Sequence, residues 1–160
     1  MVFTAAVLLV FLLLLFLYEQ FLTALAILFT TLLALCAIFI GLFITGTEIN
    51  ISSMMGMTMI VGIVTEVAIF YFSEYHALPE DLDRTEALIL AGKNRFRPIA
   101  MSTLAAMLAL LPLALGIGQG AAMQQPLAIA IISGLAIQLP LVLIVLPVLL
   151  ATLSRRTSPK

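Results

Sequence analysis

The sequence predicts an all-α membrane protein, a bundle of five transmembrane helices with a short interfacial cytoplasmic helix. Three observations predict it. Hydrophobic residues make up 64% of the chain and charged residues 9%, where a soluble domain carries about 45–50% and about 25%. The apolar residues fall in long runs broken by short polar stretches. The seven Lys and Arg residues are confined to two of those stretches. Its 160 residues hold about five spans of ~20 residues with short turns, so residues 1–160 read as a single transmembrane domain.

The first span is expected over residues 2–17, ending at the polar turn Tyr18-Glu19-Gln20. The second covers 21–45 and stops at Gly46-Thr47-Glu48-Ile49-Asn50, and the third covers 51–72. A polar segment from Ser73 to Arg97 follows. Within it, residues 79–92 read as the interfacial helix: Pro79 starts it, acids fill its first turn, Gly92 ends it, and Leu82 and Ile89 share a face. The fourth span covers 98–116 and the fifth 126–153. Each run is long enough for a hydrocarbon core of ~30 Å, the first only barely. Pro98 and Pro126 suit first-turn positions. Pro112, Pro140 and Pro147 predict kinks or local breaks.

Arg84, Lys93, Arg95, Arg97, Arg155, Arg156 and Lys160 lie between spans three and four or after span five, which is one side of a five-span chain. By the positive-inside rule the C-terminus is cytoplasmic and the N-terminus external. No cleavable signal peptide is expected over Met1–Leu17. An external start without a leader implies that something precedes residue 1. The only cysteine, Cys36, forms no internal disulfide and reads as a small apolar core residue.

Glu66 is the only acidic or basic residue well inside a long apolar run. A carboxylate at bilayer depth costs at least about 2.5–3.5 kcal/mol and as a rule faces a bundle interior, where it handles protons, ions or a partner charge. Thr58, Gly62, Thr65, Glu66, Ile69 and Ser73 recur at spacings of three and four, so a small and polar stripe is expected to pack Gly62, Thr65 and Ser73 against neighbouring helices, with Glu66 turned away from lipid. A buried structural carboxyl is the alternative. Ser102 and Thr103 in span four, and Ser133, Gly134 and Gln138 in span five, read first as helix-packing groups. Met54, Met55, Met57 and Met59 could offer soft metal ligands but suit flexible apolar packing. Gly116-Ile117-Gly118-Gln119-Gly120 lies among loop residues, so neither a dimerisation face nor a phosphate loop is expected there. His76 reads as a solvated loop residue. With no His-Glu-x-x-His and no Gly-x-Ser-x-Gly, no enzyme activity, cofactor, metal site or nucleic-acid partner is expected.

Several runs together carry a resemblance. They are Leu17-Tyr18-Glu19-Gln20-Phe21, Gly62-Ile63-Val64-Thr65-Glu66-Val67-Ala68-Ile69, Arg95-Phe96-Arg97-Pro98-Ile99-Ala100-Met101-Ser102, Leu111-Pro112-Leu113-Ala114-Leu115-Gly116, and Gln125-Pro126-Leu127-Ala128-Ile129-Ala130. In this order the chain resembles the inner-membrane permease of the resistance–nodulation–division (RND) efflux family. The likeness implies helices eight to twelve of a twelve-helix membrane domain, with residue 1 following a periplasmic domain. The chain would then be a C-terminal five-helix fragment without the first half.

The resemblance also implies proton antiport that drives export, with Glu66, Ser102 and Arg95 as relay residues. Glu66 stands where drug exporters carry a lysine and metal exporters a glutamate. Ile99 stands where metal exporters carry a lysine, and Ser102 where the family carries a threonine. The expected role is therefore the membrane portion of a proton-driven exporter of drug-like or amphiphilic compounds. The alternatives are a heavy-metal exporter or a truncated, non-transporting membrane module. The implied partners are the other half of the permease, a homotrimer, a periplasmic adaptor, an outer-membrane channel and the lipid of the bacterial inner membrane.

Overall fold

The computed structural model describes residues 2–18, 21–79 and 82–155. The turn residues Glu19 and Gln20, the acids Glu80 and Asp81, and the terminal Arg156 and Lys160 lie outside them. Among the described residues every element is helical. Helix α1 is Val2–Tyr18, α2 Phe21–Ile44 and α3 Ile51–Ala77. Helix α4 is Arg84–Ala114 and α5 Ala121–Pro140, which continues through a π-helical segment, Leu141–Val145, into α6, Leu146–Arg155. Among the described residues four helical stretches are long and apolar enough to cross a membrane; α1 is shorter, at 17 residues.

The ends form where local chemistry satisfies backbone groups that a helix leaves open. At the start of α3 the Asn50 side chain accepts from Ser53 N–H while Ser53 Oγ accepts from Asn50 N–H, a reciprocal capping box. At the end of α2 the chain reverses through Gly46 at φ +63°, which lets Thr47 N–H reach back to Leu42 C=O at 3.0 Å. Gly116, Gly118 and Gly120 all have positive φ in the α4–α5 turn, as their loop reading requires.

Helix α4 corrects the expected helix at 79–92. Residues 82 and 83 precede it, Ala87 N–H bonds Asp83 C=O, and one helix then runs unbroken past Gly92 and Pro98. The segment expected to be a separate interfacial helix is thus the first part of α4, and Pro98 is interior. Gly92 does not end a helix but admits a neighbour. The Tyr71 ring lies 3.8 Å from where a Gly92 Cβ would stand, and Tyr71 Oη donates to Leu88 C=O at 2.7 Å. Held against α3 in this way, the segment keeps its helical path, and 31 residues extend about 46 Å at ~1.5 Å each. Pro126 is likewise inside α5, which starts at Ala121. His76 belongs to the last turn of α3, with a ring nitrogen 2.9 Å from Phe72 C=O.

The expected break between Pro140 and Pro147 takes a definite form. Leu146 N–H bonds Leu141 C=O, five residues back. Pro147 offers no N–H and its ring crowds the carbonyl of Leu143; a widened turn relieves that crowding. Pro112 sits in the last turn of α4, closed by bonds from Leu115 N–H to Leu111 C=O and from Ile117 N–H to Pro112 C=O.

The core lies around α5, which touches α2, α3 and α4. Small residues set the spacing. A Cβ on Gly56 would stand 2.9 Å from Ala130 Cβ, and one on Gly134 2.7 Å from Ile60 Cγ1. A Cβ on Gly41 of α2 would overlap Ser133. Bilayer helices gain their association from such close packing, since lipid tails are as apolar as leucine. The pairs Gly56–Ala130 and Ile60–Gly134 advance in the same sense, so α3 and α5 run parallel. Ser52 Oγ ties their first turns by donating to Met123 C=O at 3.1 Å.

Gly134→Val is expected to destabilise the bundle by about 1–3 kcal/mol through overpacking. Adding Ile60→Ala should recover part of that loss. Thermal unfolding of purified protein in detergent checks both, and equal melting temperatures for the wild type and Gly134→Val would remove this contact as the determinant of spacing.

Candidate functional site

Helices α3 and α4 diverge above α5 and leave a groove of about 610 Å³. Glu66 and Phe70 line it from α3, Arg95, Ser102 and Thr103 from α4, and Gln138 from α5. Glu66, Arg95 and Ser102, separated by up to 36 positions in sequence, therefore come to one cavity. Of these three only Arg95 is half-buried; Glu66 and Ser102 are exposed on the open side.

This placing splits the expected stripe. Thr65 points inward, is buried, and donates to Val61 C=O at 2.7 Å. Gly62, Glu66 and Ser73 are exposed, and nothing lies within 4 Å of a Cβ built on Gly62. Within the described residues Gly62 packs against no neighbouring helix, and Glu66 has no hydrogen-bond or ion-pair partner. The physical reason is angular. On an ideal helix consecutive residues point ~100° apart, so Thr65 and Glu66 cannot share one face; Thr65 turns to the core and Glu66 to the groove.

Toward the end of α3 a second carboxylate, Glu74, holds one of the lining residues, Arg95. Glu66, Phe70 and Glu74 follow one another at four-residue spacing on one helix face. Arg95 Nε lies 3.1 Å from Glu74 Oε2, Asn94 Nδ2 donates to Glu74 Oε1 at 3.0 Å, and the Arg95 guanidinium stands 5.9 Å from the Phe70 ring centroid. Arg95 is thus held by Glu74 and not by Glu66. The sequence reading missed Glu74 and Asn94. The available signal was the four-residue spacing from Glu66, which carries the face past the end of the apolar run.

Ser102 Oγ donates to Ile99 C=O at 3.0 Å, which leaves its lone pairs able to accept. Gln138 is 1% exposed, and its Oε1 has no hydrogen-bond partner. A second cavity, about 730 Å³, lies between α2 and α3 and is lined by Cys36, Met54, Met55 and Met57 among apolar neighbours. Among the described residues no group of three or more His, Cys, Asp or Glu side chains is placed to hold a metal ion. The groove can therefore supply one free carboxylate, one paired Glu–Arg end, and hydroxyl and amide groups between them.

Residues 1–154 match the family model described as the AcrB/AcrD/AcrF family. The swarming motility protein SwrC of Bacillus subtilis (strain 168) is 38% identical over 118 residues, which is 73% of this chain and 11% of that protein. The fold matches an X-ray crystal structure of a heavy metal efflux pump with a TM-score of 0.82 and 29% identity. That match covers 94% of this chain and 15% of the pump. The chain therefore spans a small part of the length of each.

The Glu74–Arg95 pair is half-buried, so its coupling is expected to be small, about 0.5 kcal/mol, and weaker in high salt. A double-mutant cycle with Glu74→Gln and Arg95→Gln on detergent-solubilised protein measures it. A zero coupling at low salt would leave Asn94 and Phe70 as the groups that place Arg95.

Proposed function

Because this chain belongs to the AcrB/AcrD/AcrF family, the RND permeases that its sequence resembles, we propose that it forms part of the membrane domain of a proton-driven exporter. The observation that carries this reading is the free carboxylate of Glu66, on the wall of an open groove halfway along a membrane-length helix. An acid at that depth is costly unless it is neutralised or paired. Among the described residues nothing pairs it, which leaves it able to take up and release a proton, or to meet a group from another part of the transporter. Gly62, with open space beside it one turn away, lets such a part approach closely.

In this mechanism Glu66 changes charge as a proton enters. Ser102, across the groove, offers a hydroxyl to whatever bridges to Glu66. Arg95, held by Glu74, fixes a positive charge at the far end of the groove and keeps that end from collapsing onto Glu66. The charge change alters which partner the groove face prefers, and so can bias two arrangements of the membrane domain. The cargo is a drug-like or amphiphilic compound or a metal ion. The glutamate at position 66 and the likeness to a heavy metal efflux pump support the metal; the missing lysine at position 99, where metal exporters carry one, supports the amphiphile. The other half of the permease, two further copies, a periplasmic adaptor and an outer-membrane channel complete the proposed assembly. All seven basic residues lie on one side of five spans, which supports an external N-terminus and a cytoplasmic C-terminus.

Orientation is checked with single cysteines at Ala122 and Thr85 in a Cys36→Ala background, labelled from outside intact cells. Labelling at position 122 and none at 85 is expected; the reverse pattern would invert the topology.

Glu66→Gln keeps the size and removes the charge. In the complete transporter it is expected to reduce proton-coupled export at least about 100-fold, a barrier change of roughly 2.7 kcal/mol, at unchanged membrane insertion. Substrate efflux and proton flux in vesicles with an imposed pH gradient measure it. Wild-type rates in this variant would reduce Glu66 to a packing residue.

A further inference from the structure

Among the described residues Gln138 carries a buried polar atom that neither the fold nor the groove so far accounts for. It is 1% exposed, it lies among the apolar side chains of the most central helix, and its Oε1 has no hydrogen-bond partner. Buried polar atoms almost always have a partner, and an orphan calls for a reason. Its place supplies one. The contacts Gly56–Ala130 and Ile60–Gly134 set the register of α3 against α5, and one further turn brings Val64 level with Gln138. Glu66 is two residues beyond Val64, a rise of ~3 Å. Gln138 therefore stands at the depth of Glu66, and both line the same groove.

We propose that Gln138 anchors a chain of water molecules that reaches Glu66 from the floor of the groove and delivers its proton. This rests on the reading of Glu66 as the proton-carrying group. The cavity is large for the purpose, since about 30 Å³ suffices for one water and the groove holds about 610 Å³. A water also needs two to four polar partners. The lining offers them: Gln138 and Thr103 are buried, Ser102 and Glu66 exposed. Glu66 and Arg95 are the charged groups of the lining; α2, α5 and the π-helical segment bring none against it.

Gln138 is one of the lining residues while its Oε1 is covered, so anchoring water there requires its unbranched side chain to turn Oε1 toward the groove. A neutral amide both donates and accepts. It can orient a water in either direction of proton travel without trapping the charge as an ion would. Gln138 is thus a positioning residue, acting on Glu66 through water.

The test is hydrogen–deuterium exchange at Glu66 in the complete transporter, reconstituted in vesicles and followed by the infrared band of its protonated carboxyl. The band is assigned by its loss in Glu66→Gln. Gln138→Met, of similar size and flexibility but without the amide, is expected to slow exchange at least about tenfold. Gln138→Leu is the second variant should the first fold poorly, and Gln138→Asn should restore part of the rate. A merely structural role predicts the opposite, because a loosened groove admits solvent and exchange speeds up. Exchange in Gln138→Met at or above the wild-type rate would overturn the proposal. Export measured in parallel separates the two readings. Glu66→Gln at wild-type export refutes the relay itself, whereas an inactive Glu66→Gln beside an unslowed Gln138→Met refutes only the water anchor.

Discussion

The close approach of α3 to α5 is the constraint on which the remaining geometry rests. Two backbones meet where Gly56 faces Ala130 and Gly134 faces Ile60. In lipid, apolar side chains gain little by leaving one apolar medium for another, so helices associate where small residues let backbones pack. That contact makes the two helices parallel and sets their relative height. From it follow the level of Gln138 beside Val64, the position of Glu66 just beyond, and the floor on which α4 leans. Move the register by one turn and the amide and the carboxylate no longer share a depth.

The charges are divided between two environments. Glu74 and Arg95 meet beside Asn94 and Phe70 at the end of α3, and each has its partner in this chain. Glu66, two turns away on the same face, has none among the described residues. One carboxylate is committed to holding α4 against α3; the other remains available. The difference comes from position along the helix and from which α4 residues stand opposite. It could not come from residue type, which is the same.

Much of this was legible in the sequence, and what was not has identifiable causes. Helices α1 and α2 begin and end almost where the apolar runs do, because a polar turn and a glycine reversal interrupt them. The third and fourth helices extend well past their apolar runs, because hydrogen bonding continues through polar residues once a neighbour supports them. Gly92 and Pro98 read as a stop and a start, yet Tyr71 packs on the first and the helix passes through the second. Glu66, Ser102 and Arg95 line one groove; of the residues expected to pack beside them Thr65 is buried, whereas Gly62 and Ser73 are exposed, because residues at mixed spacings of three, four and one do not share a face. Glu74 escaped notice because it lies beyond the hydrophobic stretch, where a carboxylate costs little. Gln138 read as packing material; only the covered, unmatched Oε1 sets it apart, and that is a property of tertiary structure alone.

Helix α4 is one rod of about 46 Å, pinned near its start by the Tyr71–Leu88 bond and the Glu74–Arg95 pair. Only 11% of its apolar stretch is buried inside the bundle, against 56% for α3. The far end of α4 is fastened as well, by Gln125 Nε2 donating to Ala114 C=O at 2.9 Å. A bar supported at both ends yields most between its supports, and Ser102 and Thr103 stand there, on the wall of the cavity that holds Glu66. Pressure on the outer side of α4 thereby alters the cavity at the carboxylate more than it moves either tie.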